Sequence, residues 1–204
     1  MKKKAFLLVS LVAIVIVVGL LGYRWSVRRN LKNPFDEMVY SETQSTKVTL
    51  FTPLSTVVNS DRHFKADDDF VTLNYDSDLL NGGELMYAFM SKSVLSFTYD
   101  KEIEEGIKLV IVYSYSPDKT TITQKIYLSD QTGEETIYKG EELLEKLSIY
   151  GKDVDWLEST SQKVLEEYIL GLWFEKGSGR YSLENLGDLK IQYDEVLNKG
   201  SHEE

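Results

Sequence analysis

Ile107-Lys-Leu-Val-Ile-Val-Tyr-Ser-Tyr-Ser-Pro-Asp-Lys-Thr-Thr-Ile-Thr-Gln-Lys-Ile-Tyr-Leu128 is the stretch that decides the fold. Its first half alternates Ile107, Leu109, Ile111, Tyr113 and Tyr115 with Lys108, Val110, Val112 and Ser114. A period of two marks a β-strand, and apolar character in both sets predicts a strand in the middle of a sheet. Ser116-Pro-Asp-Lys119 places proline at the preferred second position of a turn. The second half sends Ile122, Ile126 and Leu128 to one face and Thr121, Thr123, Lys125 and Tyr127 to the other. Asp130-Gln-Thr-Gly133 turns the chain again, and Glu134 to Lys139 reads as a third strand. Consecutive strands with short turns imply an antiparallel meander.

Upstream, Lys47–Leu54, Phe70–Tyr75 and Ser93–Tyr99 carry the Thr, Val, Phe and Tyr content of strands, with a polar loop expected over Asn59–Asp69. Asn81-Gly-Gly83 is a turn, and Leu85–Met90 fits either a strand or a helical turn. Downstream the period changes. Leu143, Leu144 and Leu147 predict a short helix after Gly140. Val164, Leu165, Tyr168, Ile169, Leu172 and Trp173 then form one apolar stripe on a longer helix. Asp155 with Glu158, or Ser159 with Gln162, supplies its capping box. Asp188–Tyr193 predicts a last strand. The resulting fold class is α+β: an antiparallel sheet with helices packed on one face, the other face open, and one transmembrane helix in front.

That front helix begins with Met1-Lys-Lys-Lys4, a basic tail, followed by an apolar run over 5–22 whose only polar side chain is Ser10. Eighteen helical residues span roughly 27 Å, close to the hydrocarbon thickness of a bilayer. Tyr23 and Trp25 follow at the depth where amphipathic aromatics sit. A secretory signal has the same layout, but a run this long with no small-residue cleavage site fits an uncleaved anchor better. Residues 23–34 form a basic juxtamembrane linker, 35–197 the globular domain and 198–204 a polar tail. Lys2, Lys3 and Lys4 on one flank balance Arg24, Arg28, Arg29 and Lys32 on the other, so charge alone does not orient the helix. An export-type n-region favours an extracytoplasmic domain.

Seven of the 23 basic residues lie in the first 32 positions, and none of the 33 acidic ones. The remaining 172 residues therefore hold 16 basic against 33 acidic side chains, a net of −17. Such a module is repelled by phosphate backbones, which argues against nucleic acid, and attracts cationic partners. The chain has no cysteine, so disulfides, thiolate nucleophiles and Cys–zinc sites are excluded.

Catalytic signatures are sparse. His63 sits in the charged segment Asp61-Arg-His63 and His202 in the tail; no G-x-S-x-G elbow, phosphate loop or H-E-x-x-H accompanies them. No cofactor is expected. The one metal-like constellation is Asp67, Asp68 and Asp69, followed by Asn74, Asp76, Asp78 and Glu84. It lacks the glycine and closing glutamate of a calcium loop. The alternatives are a calcium site, a metal-dependent envelope hydrolase and a solvated charge cluster.

After the anchor comes Asn33-Pro-Phe-Asp-Glu-Met-Val-Tyr-Ser-Glu42, and the domain closes with Glu184-Asn-Leu-Gly-Asp-Leu-Lys-Ile191. With one N-terminal helix and a cysteine-free α+β domain, this layout resembles the TipC family of streptococcal immunity proteins. The resemblance implies a membrane-anchored domain outside the cell. It also implies non-catalytic neutralisation of a type VII secreted toxin that attacks lipid-linked cell-wall precursors, through an open anionic sheet face. The resemblance transfers no individual contact residue. From the residues themselves, Asp67, Asp68, Asp69, Asp76 and Asp78 are candidate toxin-binding residues, and Tyr113, Tyr115 and Tyr127 join them if they lie on the open face, the alternative being core or cross-strand packing. The other function class is a membrane-tethered envelope sensor or accessory domain, which would show a pocket of converging polar groups. Oligomeric state is left open.

Overall fold

The computed structural model describes residues 2–43, 51–65, 68–91, 94–177 and 179–198. It divides into two compact units, Met1–Lys32 and Asn33–Glu204. The first is a single helix, α1 (Lys2–Asn30), which carries helical backbone through most of the stretch expected as a linker. Within Val9–Asn30, its most apolar 18-residue window has a mean hydropathy of 1.9 and no buried residue. It is the one helix among the described residues long and apolar enough to cross a membrane.

The second unit is an eight-stranded sheet with helices on one face. Its strands are β1 (Asn59–Lys65), β2 (Asp68–Asn74), β3 (Glu84–Met90), β4 (Leu95–Glu104), β5 (Ile107–Ser116), β6 (Thr121–Asp130), β7 (Thr136–Tyr138) and β8 (Lys190–Gln192). β1 to β7 pair in sequence order, each antiparallel to the next. β8 departs from the all-antiparallel expectation by pairing parallel to β6, Ile122 opposite Ile191. β5 and β6 form the expected meander, Ile111 opposite Ile126, with the Pro117–Lys119 turn between them. Thr120 closes that turn at a φ of 50°, and its carbonyl accepts the Lys190 N–H that starts β8.

Two expectations fail upstream. Of the expected loop Asn59–Asp69, residues 59–65 are strand β1 and 68–69 begin strand β2, whose backbone ladder holds despite the polar sequence; residues 66–67 lie outside the described residues. Lys47–Leu54 does not end as a strand: Leu54–Val57 is a helical turn (α3), and residues 44–50 lie outside the described residues. Leu85–Met90 resolves as strand, with Met86, Ala88 and Met90 inward and Leu85, Tyr87 and Phe89 outward.

The covered face is built from Leu73, Phe97, Tyr99, Leu109, Ile111, Tyr113, Tyr115, Ile122 and Leu128, all buried. Helix α2 (Pro34–Thr43) begins at Asn33, whose Oδ1 accepts the N–H groups of Phe35 (2.9 Å) and Asp36 (3.0 Å). An asparagine cap with proline at the first helical position is a favoured start. Phe35 then stacks on Tyr115 and meets Phe97 edge-on.

Helix α4 (Gly140–Ile149) buries Leu143 and Leu147. Helix α5 (Val154–Lys163) starts at Asp153, whose carboxylate accepts from Trp156 N–H at 2.9 Å, upstream of both expected capping boxes. It continues in π-helical turns over Val164–Gly171 and Trp173–Gly177. The apolar stripe from Val164 to Trp173 is core. Gly177 is required there because a Cβ would run into the Trp173 ring, and at Gly171 one would sit 2.8 Å from the Glu166 carbonyl. A short helix α6 (Glu195–Asn198) follows β8.

Candidate functional site

With the helices on one side, the opposite face of β3–β6 is open. The register aligns three cross-strand rows on it: Leu85, Asp100, Val110 and Tyr127; Tyr87, Thr98, Val112 and Lys125; Phe89, Ser96, Ser114 and Thr123. Leu85 is 61% exposed, Tyr87 38% and Phe89 39%. Phe70, from β2, adds a ring 5.6 Å from Phe89. Apolar side chains grouped on a sheet surface with a polar surround are the signature of a protein contact site rather than of a pocket for a small molecule.

Charge on this face is balanced among the described β3–β6 residues: Asp100 and Glu102 against Lys108 and Lys125. The negative charge gathers instead on the helical layer, where residues 140–177 hold nine Asp or Glu against four Lys. Asp100 is the exception that matters. Its Oδ1 is shut off from solvent and has no hydrogen-bond partner among the described residues. Burial raises its pKa, and the Lys108 ammonium opposes the shift without cancelling it. Leaving a polar atom in that condition costs about 1–3 kcal/mol, more when it is charged.

Tyr113 and Tyr115 do not lie on this face, so the condition for their being contact residues is not met and the alternative, core packing, holds. They share the stronger apolar alternation of β5 and lie 1% exposed under the helices. The Tyr113 hydroxyl donates to the Ser161 carbonyl at 2.8 Å and accepts from Gln124 Nε2 at 2.6 Å. The Tyr115 hydroxyl accepts from Asn33 Nδ2 and donates to Asp36 Oδ1, both at 2.7 Å. Burial pushes the Tyr113 phenol up to about 12. Tyr127 is half-buried on the open face, with Lys139 over its ring at 6.0 Å.

The acidic candidates separate. Asp67 lies outside the described residues, and Asp68 and Asp69 are backbone-paired with Lys65 and Phe64 in the β1–β2 hairpin. Asp76 caps a single 3-10 turn, accepting from Asp78 N–H at 3.0 Å, and both are exposed. Glu84 points to the other side of the sheet. It accepts from Lys101 Nζ (3.0 Å), Tyr168 hydroxyl (3.1 Å) and Asn81 N–H (3.1 Å). Burial would raise its pKa, but these bonds and one from Tyr99 prevail and hold it at about 2. Among the described residues no three His, Cys, Asp or Glu side chains converge as a metal site. His63 lies in β1, and His202 lies outside the described residues.

A cleft of about 320 Å³ opens on the helical side, between Glu158 and Glu166 of the long helix and Tyr193 near the C-terminus. Tyr113 and Ser161 line it from the sheet and from α5.

The residues of the open face that reading the sequence missed are Leu85, Tyr87, Phe89 and Asp100. Over Leu85–Met90 both alternating sets are apolar, so no period-two signal exists there and nothing says which set is covered.

The solved structure of TipC2 from Streptococcus intermedius B196 has the same fold, with a TM-score of 0.67 over 79% of this chain and 96% of that one, at 17% identity. No curated protein sequence matches the chain. Residues 3–194 match the sequence profile described as TipC immunity protein-like, and the chain belongs to that family.

Proposed function

We propose that this chain is an immunity protein held in a membrane by α1, with its domain on the extracytoplasmic side. There it binds and occludes a type VII exported antibacterial toxin that attacks lipid-linked cell-wall precursors. The observation that carries this reading is the exposed apolar group Leu85, Tyr87 and Phe89 on an otherwise balanced sheet face, in a chain of the immunity family. Aromatic side chains on a rigid sheet supply contact area at little entropic cost. The net of −17 beyond the anchor supplies long-range attraction for a basic toxin surface, raising the rate of encounter more than the final affinity. Tethering confines the inhibitor to the membrane where the precursors lie. Inhibition by occlusion needs no turnover, so no catalytic residue is required.

The test is rescue. Cells exposed to a type VII exported toxin that attacks lipid-linked precursors are expected to grow when the full chain is present and to lyse or arrest without it. Failure of rescue at confirmed expression refutes the reading.

The second reading, an envelope sensor, is favoured by the cleft between Glu158, Glu166 and Tyr193, where polar groups converge. It predicts that closing the cleft at its exposed rim, with Gln162→Trp, abolishes function while substitutions on the sheet face do not.

A further inference from the structure

We infer that the end of α1 from which the chain leaves for the domain carries a one-sided site for the phosphate of an anionic membrane lipid, formed by Arg24, Arg28 and Arg29 around Trp25. The inference rests on the membrane-anchor part of the proposed function and names the lipid that the anchor selects. A flexible linker would leave these arginines without a common direction, but α1 keeps its helix to Asn30. At 3.6 residues per turn, Arg24, Arg28, Trp25 and Arg29 then fall within an arc of about 140°. The uncharged Tyr23, Ser26, Val27 and Asn30 take the opposite side. Scattered charges would meet headgroups equally all round; these meet them on one side.

Depth and reach agree with the same ligand. The apolar run ends at Gly22. Arg24 stands roughly 3 Å beyond it and Arg28 and Arg29 roughly 9–11 Å, against a headgroup layer of about 5–7 Å per leaflet. Helical side chains lean toward the N-terminus, which here is toward the bilayer. The Arg29 guanidinium does so: it lies over the ring of Trp25, one turn nearer the membrane, 5.5 Å from its centre. Tryptophan prefers the interfacial layer, so the ring and the cation stacked on it share one depth. The side-chain types select the group that is bound. The other flank of the apolar run carries Lys2, Lys3 and Lys4, whereas the cations on the last helical turns are all arginine. A guanidinium pairs two N–H groups with two phosphate oxygens, which an ammonium cannot do in the same geometry. Phosphatidylglycerol offers such a phosphate with no cation of its own; in phosphatidylcholine the headgroup ammonium offsets it. The residues beyond the anchor, with their net of −17, are pushed from an anionic leaflet, and an arginine site at the anchor's end offsets that repulsion.

The experiment places the full chain in phosphatidylcholine vesicles containing a trace of spin-labelled phosphatidylglycerol or spin-labelled phosphatidylcholine. Flotation with the vesicles establishes insertion, and electron spin resonance reads the fraction of each probe immobilised against the protein. The wild-type chain is expected to hold the glycerol lipid over the choline lipid by roughly fivefold or more. Arg24→Gln, Arg28→Gln and Arg29→Gln together are expected to bring that preference below about twofold, the remainder coming from Lys2–Lys4, which no arm alters. Val27→Arg with Arg28→Val keeps composition and net charge but spreads the arginines round the helix, and is expected to lose more than about half of the preference. Equal retention of the two probes by an inserted wild-type chain, or the full preference in the Val27→Arg, Arg28→Val variant, overturns the inference and leaves the anchor standing. Loss of the preference to inorganic phosphate, but not to chloride at equal ionic strength, assigns the site to a free anion and overturns it as well. A wild-type chain that does not float with the vesicles overturns both the inference and the anchor.

Discussion

Replacing Glu84 with glutamine tests whether the turn at Asn81–Gly83 is latched to the helical layer by charge. The carboxylate is 3% exposed at its side chain, and its Lys101 partner is 32% exposed. It accepts from Lys101, Tyr168 and Asn81, which come from β4, the π-helical segment and the turn. A glutamine at this position keeps the shape, loses one acceptor oxygen and presents an NH₂ to groups that are already donors. Breaking a buried pair from one side costs about 3–5 kcal/mol; the partial exposure of Lys101 places the expected loss at the lower end, about 3 kcal/mol. The carboxyl's descent from 4.5 to about 2 arises from the same bonds and is of the same order, roughly 3 kcal/mol at about 1.4 kcal/mol per unit.

The sign follows from the depressed pKa. The stabilisation is complete above pH 4.5 and is lost as the pH falls toward 2. Urea unfolding of the full chain in detergent, followed by tryptophan fluorescence, reads both effects. Glu84→Gln is expected to be less stable by about 3 kcal/mol at pH 7. The gap is expected to close between pH 4.5 and about 2. A gap under about 1 kcal/mol at pH 7, or one that persists unchanged at the acid end, refutes the latch.

Other consequences are separable. Thr120→Gly relieves a left-handed β-branched residue and is expected to stabilise the fold by about 1 kcal/mol in the same unfolding assay. Tyr113→Phe removes a buried hydroxyl that serves Ser161 and Gln124, costing about 1–3 kcal/mol while leaving toxin affinity unchanged, as calorimetry can check. Toxin association, followed by stopped flow, is expected to slow roughly tenfold or more between about 50 and about 500 mM salt; a rate indifferent to salt removes the steering argument. A chain lacking residues 1–32 is expected to bind toxin in solution yet fail to rescue cells, and protease added to intact cells is expected to digest the domain of the full chain.

The β5–β6 hairpin was legible because its alternation is strong and its turn carries proline. The long helix was legible from its apolar stripe. The β1–β2 hairpin was not, since Asn59–Asp69 holds few β-forming side chains; its ladder is set by pairing with the rest of the sheet rather than by local propensity. The π-helical turns leave no mark in an apolar period. They depend on the close fit of Gly177 against Trp173 and of Gly171 against Glu166, which is a tertiary condition. Asp153 took the cap from Asp155 and Ser159, because all three are competent cap residues and packing chooses among them.

The open sheet face was legible, but its residues were not. Composition points to an open face with an acidic domain behind it. It does not tell that Tyr113 and Tyr115 turn inward with Ile111, nor that the acidic residues gather on the helices. Asp100 looks like any strand aspartate until its neighbours across the ladder are known.

Titrating the toxin's hydrolysis of lipid-linked precursor with purified full chain tests the central claim most directly. Neutralisation by occlusion predicts that activity falls in proportion to the chain added, reaches zero at a fixed molar ratio, and returns when the complex is dissociated. Undiminished activity at excess chain, or progressive loss at a small fraction of the toxin concentration, contradicts it.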